Sequence, residues 1–194
     1  AKNVDERRTA IYAILKYGLG NDVPTDTFLE CAQSDDVNVR IAVIRALMVF
    51  GKSDVDVLRF LENALGDQSL AVRRSAAVAI ARLPIAGDAR PEVLVRALDD
   101  KDNLVKASAA WTIARMGPRA REAVPILGRL VSQKTGLDGE PYLRVRRACA
   151  HALKSMGIEA RPAIPHLMVA LRNPISDVRD TSCRTLAAIG PEAR

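Results

Sequence analysis

Few residues of this 194-residue chain have the types and spacing that catalysis or metal binding requires. The only two histidines, His151 and His166, do not stand four residues from a second metal ligand. The cysteines Cys31, Cys149 and Cys183 form no C-x-x-C pair, and no nucleophile elbow, phosphate loop or dinucleotide-binding glycine motif is present. The sequence therefore predicts no catalytic residue, no metal site and no cofactor, with free thiols typical of a reducing, cytoplasmic compartment.

The chemistry that remains is recognition of anions. Lys and Arg number 29 against 23 Asp and Glu, a net charge of +6, and Trp111 is the only tryptophan in a chain with 4% aromatic residues. A tryptophan among guanidinium groups is typical of a binding site for an acidic peptide or a nucleic-acid backbone. Whether these groups come together depends on the elements that position them.

A repeat organises the whole chain. Six copies of one segment begin at a basic residue and end near a glycine or proline, and the basic residues are spaced by 33 positions except for one spacing of 40. The stretches 116–125 and 156–165 match at six of ten positions. The six basic residues are Arg7, Arg40, Arg73, Lys106, Arg146 and Arg179. One repeat therefore carries an insertion of seven residues.

Each repeat is predicted to form two helices, A and B. Apolar residues in each copy recur at helical spacing, and no segment alternates as a strand would. The predicted B helices cover 6–17, 39–50, 72–83, 105–116, 145–156 and 178–189, and most end at a C-cap glycine, namely Gly18, Gly51, Gly117, Gly157 or Gly190. The predicted A helices include Val55–Leu65, Pro91–Leu98, Glu122–Val131 and Ala163–Leu171. The high alanine content fits closely packed helices.

The unit resembles HEAT repeats, in particular the short HEAT-like repeats of phycobilisome bilin lyases. The residues that carry the resemblance are 67–73 (Asp-Gln-Ser-Leu-Ala-Val-Arg) followed by Ala76 and Ala77. The resemblance implies an all-α fold, a right-handed α-solenoid of stacked antiparallel helix pairs. It predicts a single solenoid over 1–194, with a half repeat at 1–20 and repeats at about 21–53, 54–86, 87–119, 120–159 and 160–194. Such repeats serve many roles, so the resemblance indicates fold more than function.

The resemblance also implies a ladder of polar contacts along the A–B turns. In HEAT-type repeats an acidic side chain six residues before the basic residue links neighbouring turns, and the basic residues are then structural. The positions six residues before are Ser34, Asp67, Asp100, Glu140 and Asn173. Ser34 departs from the acidic pattern, so we expect the ladder to be weakest there. We call these contacts the turn ladder.

The insertion is predicted within 132–139, in the A–B turn of the fifth unit. Gly136, Gly139 and Pro141 indicate a projecting loop. Such a loop either carries binding specificity or is a neutral insertion, and the sequence leaves both open.

The charge is distributed unevenly over the repeat. The six B segments hold 15 of the 29 basic and two of the 23 acidic residues, a net +13 against −7 for the remainder. By resemblance the B helices line the concave face, and positions +2, +6 and +10 from each B-helix start are predicted to be exposed there; we call these positions the B-helix face. The candidate partner-binding residues among them are Tyr12, Arg45, Arg74, Arg82, Trp111, Arg115, Arg147, His151 and Arg184.

Two functions follow from these patterns. The first is a non-catalytic scaffold whose basic groove engages an acidic protein segment or other anionic partner. The alternative is a nucleic-acid-binding solenoid, related to alkylpurine DNA glycosylases, although the carboxylate and aromatic candidates Asp180 and Trp111 lie far apart in the repeat order. Nothing marks a bilin site, and no apolar run is long enough to span a membrane. Because both ends lack polar caps, we expect the chain to be a segment of a longer repeat protein or to pair with other domains.

Overall fold

The computed structural model describes residues 6, 9–14, 25–50, 55–84, 88–133 and 140–190, and the regular elements within them are helices. Residues 9–14 are helical. The α-helices that follow are α1 (Thr25–Cys31), α2 (Val37–Phe50), α3 (Val55–Ala64), α4 (Leu70–Arg82), α5 (Pro91–Ala97), α6 (Asn103–Met116), α7 (Val124–Ser132), α8 (Glu140–Met156), α9 (Ile164–Ala170) and α10 (Ser176–Ile189). Two 3-10 helices, Gly117–Ala123 and Gly157–Ala163, lead into α7 and α9.

Short and long helices alternate along the chain, and this confirms the predicted all-α solenoid of helix pairs. The odd-numbered helices are the A helices and the even-numbered ones from α2 to α10 are the B helices. The chain divides into two compact units, Ala1–Ile85 and Ala86–Arg194. The single-solenoid boundaries drawn from the sequence stay a prediction. Among the described residues no helix is long and apolar enough to cross a membrane.

The first unit stacks two complete helix pairs. Helix α1 packs on α2, α3 packs on α4, and the two B helices α2 and α4 pack on each other. Fully buried aliphatic side chains such as Ile44, Leu47, Leu61 and Ile80 fill this core. Removing these side chains from water provides the main driving force for stacking.

The second unit repeats the same arrangement three times. Helices α5, α7 and α9 pack on α6, α8 and α10 respectively, while α6 packs on α8 and α8 on α10. The A helices α7 and α9 also pack together, and they approach closely because position 128 is glycine. A Cβ atom there would lie 2.9 Å from Cδ2 of His166 and 3.2 Å from Cβ of Ala163. Small residues thus set the distance between neighbouring repeats.

The helix ends differ in detail from the predicted ones. Helices α2, α4, α6 and α10 begin two residues before the apolar residue taken as the B-helix start. Gly117, Gly157 and Gly190 end their helices with positive φ, at 58°, 57° and 101°, which favours glycine. Gly18 and Gly51 lie outside the described residues. The helix predicted over Glu122–Val131 begins only at Val124, because the preceding residues form a 3-10 helix.

Helix α8 departs most from its prediction. It begins at Glu140, five residues before the predicted start at Val145, and so includes Pro141. Proline is tolerated in a first helical turn because its missing N–H would have had no partner within the helix. The loop predicted from Gly136, Gly139 and Pro141 is therefore shorter than expected at its C-terminal end, and residues 134–139 lie outside the described part of the chain.

Candidate functional site

The turn ladder is built most completely around Arg40 in the first unit. Its Nη1 donates to the carbonyl oxygens of Ser34 and Asp35 in its own turn, at 2.8 and 3.0 Å. Its Nε and Nη2 donate to Oδ2 and Oδ1 of Asp67 in the next turn, at 2.8 and 3.0 Å. One guanidinium thus joins two successive turns through a bidentate ion pair.

Asp67 is held ionised by this environment. Partial burial raises the pKa of its carboxyl, but the hydrogen bond from Arg40, a bond from the amide of Ser69 and the charges of Arg40 and Arg73 outweigh burial. The net effect is a pKa below the ordinary value of 3.8. The two side chains of the ion pair are only 18% and 14% exposed, so the pair is largely shielded from water.

The contact of a basic residue with its own turn recurs along the chain. Arg73 donates from Nη1 to the carbonyl oxygens of Asp67 and Gln68 at 3.0 and 3.1 Å. Arg179 makes the equivalent pair of bonds, both 2.8 Å, to Asn173 and Pro174. Each arginine therefore supplies hydrogen-bond donors to backbone carbonyl oxygens of its own turn.

The side chain that opens each turn accepts a hydrogen bond from the amide two residues later. Asp100 accepts from Asp102 at 2.8 Å, Asn173 accepts from Ile175 at 3.0 Å, and Ser34 accepts from Asp36 at a longer 3.2 Å. These side chains fix the local turn. Lys106 occupies the basic position of its repeat and is partly buried, and Arg7 lies outside the described residues.

One predicted position of the turn ladder, Glu140, is wrong, and it lies in the repeat that carries the insertion. Arg146 donates from Nη2 to the carbonyl oxygen of Gln133 at 2.6 Å, thirteen residues back instead of six. The difference equals the seven-residue insertion, so Gln133 and not Glu140 opens this turn. Glu140 lies in helix α8 because the inserted residues follow Gln133 and add an extra helical turn. Tyr142 lies on that turn, and its ring centroid is 4.7 Å from the guanidinium carbon of Arg146. Its hydroxyl donates to Oε1 of Gln133 at 3.1 Å.

The candidate residues of the B-helix face are exposed in both units. In the first unit these are Tyr12, Arg45, Arg74 and Arg82, and in the second unit Trp111, Arg115, Arg147, His151 and Arg184. Neighbouring positions on the same helices, such as Ile44, Ile80, Ile113 and Leu153, are buried. The structure thus places every one of these nine side chains at the surface, and it brings part of the second set together.

Trp111 on α6 and His151 on α8 form the centre of that second set. Their ring centroids are 4.7 Å apart with planes tilted by 46°, and Trp111 is 45% exposed. Both occupy the +6 position of adjacent B helices, so the contact follows directly from stacking the repeats. Arg115 lies one turn after Trp111 on α6, and Arg147 lies one turn before His151 on α8.

Two aspartates pair with arginines of this face, namely Asp180, which lies in the predicted B segment 178–189, and Asp177, which lies just before it. Nε of Arg147 donates to Oδ2 of Asp177 at 2.9 Å, and Nη2 of Arg184 lies 3.1 Å from Oδ2 of Asp180. Asp177 belongs to α10 because that helix begins two residues earlier than predicted. The positive charge near α10 is therefore partly neutralised, and the signal that could have found this was the acidic first turn of α10.

The remaining chemistry-bearing side chains have structural surroundings. His166 contacts Ser132 through Nδ1 at 3.1 Å and packs over Gly128, so it joins α9 to α7. Burial raises the pKa of the Cys149 thiol to about 12, although the charge of Lys106 opposes this. Within the described ranges no three His, Cys, Asp or Glu side chains are placed to hold a metal ion. Of the other two cysteines, Cys183 is exposed and Cys31 partly exposed.

Comparison with known proteins agrees with this geometry. A family model of HEAT repeats matches residues 1–82. No curated protein sequence matches the chain significantly. The HEAT-like repeats expected from the sequence are thus confirmed, with the family model matching the first 82 residues.

Solved structures share the fold at low identity. The complex of CpcE and CpcF of phycocyanin lyase from Nostoc sp. PCC7120 is 23% identical with a TM-score of 0.68, covering 87% of this chain and 65% of that chain. An engineered protein is 24% identical with a TM-score of 0.64, covering 94% and 83%. A designed armadillo repeat protein in complex with the peptide (KR)4 is 18% identical with a TM-score of 0.66, covering 97% and 91%. At these identities the likeness establishes the fold alone.

Proposed function

We propose that this HEAT-like repeat protein is a non-catalytic scaffold whose B-helix face binds an acidic segment of a partner protein. The observation that carries the proposal is the exposed pair of Trp111 and His151 flanked by Arg115 and Arg147. A half-exposed tryptophan beside guanidinium groups offers apolar contact area and positive charge at one place, the composition typical of interface hot spots.

The sign of the charge selects the partner. The designed armadillo repeat protein of the same fold is in complex with the basic peptide (KR)4. Here the exposed charged candidates on the B helices are arginines, with acidic side chains paired to two of them. Electrostatic complementarity therefore favours an acidic peptide over a basic one.

The paired aspartates also bear on the nucleic-acid alternative. A phosphate backbone binds through many uncompensated basic side chains, and affinity grows with the number of phosphates neutralised. Asp177 and Asp180 lie on α10 beside Arg147 and Arg184 and would repel phosphates there. Asp177 also weakens the attraction of an acidic segment at Arg147. A short segment can nevertheless contact Trp111 and Arg115 without extending along α10, whereas an extended duplex cannot.

Fluorescence of the single tryptophan gives a direct test. We would titrate the protein with an octa-glutamate peptide, with (KR)4 and with a duplex DNA of random sequence, each at low and physiological salt. We expect the acidic peptide to change Trp111 emission saturably and the basic peptide to have no effect. Binding should weaken as salt rises because the contacts are largely exposed. Tighter binding of duplex DNA than of the peptide at both salt concentrations would overturn the proposal in favour of the nucleic-acid alternative.

Variants locate the site. In anisotropy measurements with a labelled acidic peptide, Trp111→Ala combined with Arg115→Glu should weaken binding strongly. The matched control is Ile158→Ala combined with Arg161→Glu, which changes an exposed apolar residue and an exposed arginine on the 3-10 helix before α9. Equal loss in both double variants would place binding elsewhere and contradict the proposal.

A further inference from the structure

The extra turn of α8 forms one wall of a cleft beside α6. Asn103, Leu104 and Ala107 from the start of α6 line it on one side, and the other side is lined by Pro141 from the extra turn of α8 and by Arg144 just after that turn. Its volume is about 320 Å³, near the lower limit of small-ligand pockets. Pro141 lies before the point at which an uninserted B helix would begin, so the part of the wall that Pro141 forms depends on the extra turn.

The cleft combines an apolar interior with a basic rim. Leu104 is 41% exposed although it is a large aliphatic side chain, and the exposed Pro141 adds further apolar surface, while Ala107 is largely buried. Arg144 is the charged residue among the five that line it. A leucine or phenylalanine side chain would bury apolar area here, and a carboxylate next to it would lie within reach of the guanidinium.

The cleft lies on the same face as the site around Trp111. Leu104, Ala107, Trp111 and Arg115 follow one another at helical spacing along α6, and Arg144 and His151 are seven residues apart on α8. At a rise of about 1.5 Å per residue, Trp111 is about 6 Å and Arg115 about 12 Å beyond Ala107 along the helix. An extended peptide of about two to four residues spans these distances.

We propose that this cleft accepts one apolar side chain of the acidic partner segment, and that the partner motif is a leucine or phenylalanine with acidic residues about two to four positions away. This inference rests on the proposed function and specifies the sequence motif of the partner segment. The seven-residue insertion is then a specificity element that sets this repeat apart from its neighbours, since the other described B helices start without the extra turn.

Paired peptides test the cleft separately from the face. One labelled acidic decapeptide carries a central phenylalanine and its twin carries glutamine at that position. We expect the wild-type protein to bind the phenylalanine peptide about tenfold more tightly, the ratio that burial of one apolar side chain provides. If the protein binds neither acidic peptide, the proposed function fails; if it binds both equally, the cleft inference fails and the proposed function stands.

Leu104→Asn is the decisive variant, and Leu70→Asn is its matched control. Leu70 is 39% exposed in the first turn of α4, as Leu104 is 41% exposed in the first turn of α6. The Leu104 variant should lose the tenfold preference for the phenylalanine peptide and bind the glutamine peptide with unchanged affinity. The Leu70 variant should keep the preference. A preference kept by both variants, or lost equally in both, would overturn the assignment of the cleft.

Arg144→Gln separates the basic rim from the apolar interior. It should weaken binding of the phenylalanine peptide when a glutamate lies two positions from the phenylalanine, and have no effect on a lengthened version of the peptide whose acidic residues lie eight positions away. Arg121→Gln, an exposed arginine on the 3-10 helix before α7, is the control for net charge. An equal effect of both substitutions would show that Arg144 acts only through overall charge and would contradict its role at the rim.

Discussion

Arginines at the turns and arginines along the B helices differ in what they contact. Arg40 gives its guanidinium to two turns and is largely buried, whereas Arg147 pairs at the surface with Asp177 and is 47% exposed. The first kind donates to backbone carbonyl oxygens of the turns, whereas the second kind contacts an exposed carboxylate. Position within the repeat, and not side-chain type, separates the arginines bonded to the turns from the exposed arginines that we propose bind a partner.

The largest expected effect is on binding at the B-helix face. Trp111→Ala combined with Arg115→Glu should weaken acidic-peptide binding by at least about thirtyfold, because tryptophan and arginine supply most hot-spot energy. Its midpoint in urea unfolding should stay close to wild type, since both side chains are exposed. A large drop in stability would show that the B-helix face is structural as well.

At the turn ladder we expect a loss of stability without a loss of peptide binding. Asp67→Ala should lower the free energy of unfolding by about 2 kcal/mol, because it leaves a largely buried guanidinium without its carboxylate. Peptide affinity measured below the unfolding midpoint should not change. The control is Asp99→Ala, which removes an ion pair with Arg129 that is more than half exposed and should cost less than about 1 kcal/mol. Equal losses would contradict the distinction between the two kinds of arginine.

The lowered pKa of Asp67 adds a pH dependence to the same contact. A carboxyl whose pKa is lower in the folded state stabilises the fold above its ordinary pKa, 3.8 here, and loses that stabilisation as the pH falls further. The stability difference between wild type and Asp67→Asn should therefore be constant near neutrality and shrink below about pH 4. Urea unfolding at a series of pH values measures it, and a difference that grows on acidification would show that the pKa is raised instead.

The smallest effect concerns the aspartates that neutralise part of the face. Asp177→Asn combined with Asp180→Asn should raise affinity for an acidic peptide about two- to fivefold, since exposed ion pairs contribute only modest energies. Asp88→Asn combined with Asp99→Asn removes two exposed carboxylates that pair with Arg119 and Arg129, and should leave the affinity almost unchanged. Similar gains in both would mean that only net charge matters.

Much of the fold could be predicted because the repeat fixes it. A basic residue at mostly 33-residue spacing and apolar residues at helical spacing predicted the helix pairs. They also predicted which positions of the B helices are exposed, and Trp111 is one of these positions. The starts of the B helices were predicted two residues late in α2, α4, α6 and α10, because the turn side chains allow the first helical turn to begin before the apolar residue.

The site was harder to predict where the repeat is interrupted. The residue six positions before Arg146 is Glu140, but the insertion lies between the start of this turn and Arg146. The stretches 116–125 and 156–165 match at an offset of 40, and the same offset pairs Gln133 with Asn173. The cleft at Leu104 and Pro141 could not be foreseen, since it depends on how far α8 extends and not on any residue pattern. The contact between Arg147 and Asp177 depended likewise on where α10 begins.

Binding at Trp111 can be followed residue by residue in an NMR titration of the isotope-labelled protein with the phenylalanine-containing acidic peptide. The indole N–H resonance of Trp111 is unique in this chain and reports on the centre of the proposed site. We expect it to shift saturably, together with the ring signals of His151 and the side-chain signal of Arg115, while the signals of Arg121 and Arg161 stay in place. Saturable binding without a shift of the Trp111 indole would contradict the account.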